Sequence, residues 1–249
     1  MTTIDFHTHL GQSIFGYGQT LTQLLNSLDT HAIERAVVCP VQPIDYHLPP
    51  ENDRVAAAVA VHPDRLMGFG RVDPRRPDAV SELRRCVQDL GLRGLFIHPW
   101  EETCPVNHAG VHTLVAEAVA LQVPVMLAGG HVRVSMPSQI ADLAQAHPQA
   151  CLIITSGGQI NISGIMLSEA TQLLREHPHL ILETSGIYRE DFIEDLVPII
   201  GAERMVFGSN SPEYHQGLEV LRPRLAHLEA AVRAQILGQT AAQILGCSV

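Results

Sequence analysis

Eight short runs rich in Val, Ile and Leu punctuate the chain, near Ile4–His9, Ala36–Pro40, Met67–Val72, Gly94–His98, Val125–Ala128, Leu152–Thr155, Leu180–Thr184 and Met205–Gly208. Most do not alternate strictly with polar positions, the pattern of parallel strands covered on both faces. Between them lie amphipathic stretches. Leu218, Leu221, Leu225, Leu228, Val232 and Ile236 keep a three-and-four spacing that predicts one apolar helical face, with Pro223 marking where the helix proper starts. Val80, Leu83, Val87 and Leu90 predict another helix, ended by Gly91. Strand and helix alternating eight times imply parallel crossovers. The predicted fold class is therefore α/β, a single (β/α)8 TIM barrel over residues 1–249, with a doubly wound open sheet as the alternative.

His62-Pro63, His147-Pro148 and His177-Pro178 each fall between a helical pattern and the next strand. A histidine suits the negative end of a helix, and the proline stops it. These three read as structural residues on the face away from chemistry. Gln42 to Asp53, with three prolines, reads as an irregular loop overhanging the other face.

The length of 249 residues matches one such barrel, about 250. A 46% hydrophobic and 17% charged composition allows a large core. No apolar run reaches the roughly 20 residues of a membrane helix, and the first residues lack a signal pattern, so a cytoplasmic, membrane-free protein is expected. A net charge of −10 argues against a nucleic-acid partner and leaves a small-molecule substrate as the expected one. Five cysteines without a C-x-x-C pair suggest neither a zinc knuckle nor a disulfide framework. All sixteen basic residues are arginine, which rules out Schiff-base chemistry on a lysine and any carbamylated lysine between two metals.

In a barrel, chemistry gathers where strands end. The first run ends Asp5-Phe6-His7-Thr8-His9. Residues two apart on a strand point the same way, so His7 and His9 form a candidate pair of ligands for a divalent metal, zinc foremost. They could also simply line the pocket. Arg71 at the third run either pairs with Asp73 or clamps a substrate carboxylate. Glu183 could supply a carboxylate or line the interior. Trp100 and Glu101 form a pocket wall or an exposed loop. Cys39 reads as an inert thiol.

The opening motif, Pro63-Asp64-Arg65-Leu66-Met67-Gly68-Phe69-Gly70-Arg71-Val72-Asp73-Pro74, Gly91-Leu92-Arg93-Gly94-Leu95-Phe96-Ile97-His98-Pro99 and Arg204-Met205-Val206-Phe207-Gly208-Ser209-Asn210-Ser211-Pro212 together resemble the amidohydrolase 2 family, which includes barrel hydrolases and nonoxidative decarboxylases. The resemblance extends over nearly the whole chain and implies a metal-activated water at the barrel mouth. It also implies a histidine where Ala128 stands, another at Thr155-Ser156, and an aspartate at Asn210 that would ligate the metal and handle the proton of water. His98 lies near where related barrels place a ligand, and either completes a three-histidine site or faces the substrate. His131, just past Ala128, either folds over the site or belongs to an ordinary loop. The function expected is metal-dependent hydrolysis of a small carboxylate, lactone or amide, with Asn210, His98 and Arg71 as further active residues. The alternative is a degenerate barrel that binds a small molecule without turnover. A TatD-like nuclease, also opening with H-x-H, ranks last. Homo-oligomerisation through outer helices or loops is a further expectation.

Overall fold

The structure is a computed structural model that describes residues 2–158, 165–187, 189 and 191–247. Each apolar run becomes a strand. These are β1 (Ile4–Gln12), β2 (Arg35–Pro40), β3 in two stretches (Leu66–Gly68 and Gly70–Arg71) and β4 (Leu95–Ile97). They are followed by β5 (Val125–Leu127), β6 (Leu152–Ile154), β7 (Leu180–Glu183) and β8 (Met205–Val206). Neighbours in sequence pair in parallel from β1 through β8. The ladder changes partner inside β3: Phe69 N–H donates to Val38 O at 3.0 Å and Gly70 N–H to Gly94 O at 2.8 Å. Among the described residues, no continuous ladder joins β8 to β1. That seam is held by Phe6 N–H to Phe207 O and His9 N–H to Ser211 O, both 2.8 Å, and by a parallel Thr8–Ser211 bridge. The architecture is the expected α/β TIM barrel, with its last seam held by isolated bonds.

Helices cross between the strands: α1 (Leu21–Thr30), α2 (Pro49–Val61), α3 (Ala79–Arg84), α4 (Ala109–Ala120), α5 (Pro137–Ala146), α6 (Ile165–Glu176), α7 (Phe192–Ile200) and α8 (Gln216–Leu225). A capping box starts α1, where Thr20 Oγ1 accepts from Gln23 N–H and Gln23 Oε1 from Thr20 N–H. The expected loop over Gln42–Asp53 holds as far as Leu48 and is corrected beyond it, where α2 begins. Pro49 and Pro50 occupy its first turn, where a missing N–H costs nothing. His62 and His147 cap the ends of α2 and α5, as their spacing predicted.

The predicted single helix through Leu218 and Ile236 is also corrected. Helix α8 ends at Leu225, and the chain bends before α9 (Ala230–Ala234). Leu228, Val232 and Ile236 pack into the core, whereas Leu218, Leu221 and Leu225 are exposed. Gln216, Gly217, Val220 and Pro223 are the inward positions of α8. Gln216 Nε2 donates to the buried Asp5 Oδ2 at 2.7 Å, which fixes that rotation.

Ile4, Phe6, Val37, Met67, Phe69, Phe96, Met126, Ile153 and Val206 fill the barrel interior. Ala241, Ala242 and Leu245 of the last helix, α10 (Thr240–Leu245), join the same cluster. Just before α10, the backbone of Gly238 lies against Thr2, and a Cβ there would stand 2.2 Å from Thr2 O. Gly238→Ala should therefore lower the unfolding free energy by about 1–3 kcal/mol through overpacking. Urea unfolding measures it, and an unchanged midpoint would refute this contact.

Candidate functional site

Strict alternation along β1 would put His7 and His9 on the opposite face from Ile4 and Phe6, which point into the barrel. The pairing with β2 slips between Asp5 and Thr8: Asp5 pairs with Ala36 and Thr8 with Val38, so two β1 residues oppose one. This bulge re-aims the end of the strand. Phe6 stays inside against Phe69, and the His7 and His9 rings turn onto Phe96, at centroid distances of 5.4 and 5.3 Å.

The two imidazoles meet at their Nε2 atoms, 3.1 Å apart. Burial lowers both pKa values to about 3, so both rings are neutral at neutral pH. His7 Nδ1 faces Glu183 Oε2 at 3.3 Å. Glu183 is itself raised to about 7, chiefly by burial, although Ser185 and the Ser156 N–H donate to it. Both shifts disfavour an ion pair. The contact is a hydrogen bond rather than an ion pair, and an ionised Glu183 accepts it from His7 Nδ1–H, which leaves the Nε2 lone pair towards His9. Gly208 makes room for this arrangement, since a Cβ there would stand 2.2 Å from Glu183 Oε1.

Asn210 completes the cluster from the chain after β8. Its φ of +52° lies in the left-handed region that asparagine tolerates. Its Nδ2 donates to Glu213 Oε2 at 2.9 Å, which turns the amide so that Oδ1 lies 3.0 Å from His9 Nε2. Asp5 anchors this segment to β1 by accepting from the Ser209 and His7 N–H groups. His9 Nε2 thus lies 3.1 Å from His7 Nε2 and 3.0 Å from Asn210 Oδ1. With bonds of about 2.0–2.1 Å, such a spacing corresponds to adjacent ligands roughly 100° apart on one divalent ion. The donor set fits such an ion, but through neutral donors alone. Among the described residues, no group of three His, Cys, Asp or Glu is placed to hold a metal.

The other expected residues fall into two groups. Arg71 is fully buried and does not pair with Asp73, which instead binds Arg75. Its Nε donates to Glu102 Oε1 and its Nη2 to Glu101 Oε2, both at 2.7 Å, and Nη1 reaches Pro40 O. With its fork occupied, Arg71 holds the loop after β4 rather than offering a clamp for a substrate carboxylate. Burial opposes its charge, but Glu102 and Glu101 more than offset this. Glu101 is buried and also accepts from Tyr17 OH at 2.9 Å, while Trp100 beside it is exposed. Tyr17 carries no motif, and only the turn after β1 brings it over the His9 ring.

His98 Nδ1 accepts from the Glu101 N–H at 3.2 Å, so its neutral ring carries the proton on Nε2 and is a donor rather than a ligand. Burial holds it well below its usual range. His131 does fold over this region: its ring lies 4.9 Å from that of His98 and stacks on Trp100. Ala128 faces the barrel interior, and Cys39 is buried with its thiol pushed up by burial, as an inert thiol requires.

The Amidohydrolase family model (Amidohydro_2) matches residues 4–247. Gamma-resorcylate decarboxylase of Rhodococcus jostii (strain RHA1) is 27% identical over 176 residues, 63% of this chain and 52% of that protein. The chain spans about half or less of the length of the curated relatives it matches. A solved 2,6-dihydroxybenzoate decarboxylase complexed with 2,6-dihydroxybenzoate superposes with a TM-score of 0.81 at 17% identity, covering 99% of each chain. A dihydroxybenzoic acid decarboxylase from Polaromonas sp. JS666, with bound manganese and the inhibitor 2-nitroresorcinol, gives 0.80 at 17% identity over 98% of this chain and 97% of that one. At these identities the structures speak for the fold. The family match, which takes in the histidine pair and the Asn210 turn alike, carries the assignment: the chain belongs to the amidohydrolase family.

Proposed function

We propose that residues 1–249 form one divalent-metal-dependent enzyme that removes a carboxyl group from a small aromatic carboxylate. Asn210 carries this reading. Its amide stands 3.0 Å from His9 Nε2, where hydrolysis would need a base, and an amide takes no proton from water. Decarboxylation needs no activated water. The bond from ring carbon to carboxyl breaks, CO2 leaves, and the electron pair left on the ring carbon takes up a proton.

His7 Nε2, His9 Nε2 and Asn210 Oδ1 would hold the ion, which when bound supplies positive charge to a substrate oxygen. Zinc, favoured by the two imidazoles, and manganese, present in the Polaromonas neighbour, are the ions to compare. Glu183 orients His7, and Glu213 orients Asn210. Glu213, at that same corner, is the carboxyl assigned to deliver the proton. His98 Nε2–H offers a donor to a substrate oxygen, and Arg71 positions the loop that carries it. The hydroxybenzoate substrates named for the relatives support the choice of an aromatic acid.

Protein loaded with manganese or zinc should release CO2 from 2,6-dihydroxybenzoate or another hydroxybenzoate, and leave a panel of lactones and anilides intact. Hydrolysis of that panel without CO2 release would return the assignment to a hydrolase. Metal binding with neither activity would favour the barrel that binds without turnover.

A further inference from the structure

A cavity of about 680 Å³ lies outside the barrel, and none of His7, His9, His98 or Asn210 lines it. Its walls are the turn after β1, the first turn of α1 and one face of α2. Leu10, Leu21, Ala57 and Val61 give it an apolar surface, and Val61 is 68% exposed at its edge. Gln19 separates it from the histidine pair, since its Nε2 donates to His9 O at 3.0 Å. The volume falls within the roughly 300–1,000 Å³ of small-molecule sites, which are mostly apolar with a few placed polar groups.

Among the described residues lining this cavity, Arg54 is the one ionisable side chain. Its Nη1 lies 3.3 Å from Glu51 Oε2, which is packed behind it at Gly11. The Arg54 side chain is half-exposed, so part of its fork remains open to a second anion. Arg54 gives this mostly apolar cavity its positive group, which matches an anion with an apolar body.

We propose that this cavity binds a medium-length apolar monocarboxylate, with its carboxylate on Arg54 and its tail along Leu10, Leu21 and Ala57. The site is independent of the barrel chemistry. Titration calorimetry with octanoate should show saturable binding of one molecule per chain, retained in His9→Ala. Arg54→Gln should weaken it at least tenfold. Ala57→Phe, a change at an exposed α2 position lining the cavity, should abolish binding while leaving the melting temperature unchanged. Octanol should bind the wild type no better than it binds Arg54→Gln. Any of these binding results would overturn the proposal: no saturable binding, binding unaffected by either cavity variant, or binding lost in His9→Ala. So would sedimentation showing the cavity covered by a second copy that Ala57→Phe releases.

Discussion

Replacing Arg71 with methionine should lower the unfolding free energy at pH 7 by about 3–5 kcal/mol, the cost of leaving a buried charge without its partner. Glu101 and Glu102 both point at this guanidinium and are 4% and 1% exposed. Water cannot take over the lost hydrogen bonds at that depth. The effect should depend on pH, and its sign follows from Glu102. Burial raises that carboxyl to about 7 from an ordinary 4.5, even with Arg71 in place. Between those values the folded state holds a proton that the unfolded chain has released, so this group makes stability fall as pH rises. Removing the guanidinium raises the folded value further. The variant's deficit should therefore be smallest near pH 5 and grow through pH 8, as read by urea midpoints at each pH. A deficit constant with pH would mean that packing against Phe96, 5.4 Å from the guanidinium carbon, outweighs the charge. Arg71→Lys should recover only part of the loss, because one ammonium cannot match a fork that reaches two carboxylates and a carbonyl.

Manganese affinity should move in opposite directions in two variants of the convergent cluster. His9→Ala removes the donor shared by both close contacts, and should weaken binding at least 100-fold, or roughly 2.8 kcal/mol. Asn210→Asp exchanges a neutral oxygen for a charged one, and should tighten binding by about tenfold or more, roughly 1.4 kcal/mol. The left-handed backbone at position 210 accepts aspartate nearly as well as asparagine. Without metal the same change sets a carboxylate against Glu213, which now accepts the Asn210 amide proton at 2.9 Å. The metal-free variant should therefore melt below wild type and the loaded one above it. Calorimetric titration with manganese, paired with thermal melts, checks both halves. Unchanged affinity in both variants would remove the metal from this cluster. A loss in His9→Ala without a gain in Asn210→Asp would keep the histidines as ligands and exclude residue 210.

The barrel was legible because its signal is local. Eight apolar runs of strand length, separated by amphipathic stretches, can bury themselves only as parallel strands under helices. The His-Pro stops were legible for the same reason, since helix end and proline are neighbours in the chain. The His7–His9 pair was legible as a spacing of two. Its direction was not, because the slip that turns both rings onto Phe96 arises only when β1 pairs with β2. The spacing of Leu218, Leu221 and Leu225 does mark one helical face, but that face is the exposed one. That rotation is set by Gln216 reaching Asp5, more than 200 residues earlier.

The sequence by itself determined the fold class, the pairing of His7 with His9 at the end of the first strand, and the neutrality of the residue at 210. Each depends on residue type and short-range period. Only the tertiary structure decided that Arg71 is spent on Glu101 and Glu102, that Glu183 supports His7, and that Tyr17 and His131 cover the mouth. These contacts join strands and loops far apart in the chain. They exist because closing the sheet brings those segments within hydrogen-bond reach, and no periodicity along the chain encodes that meeting.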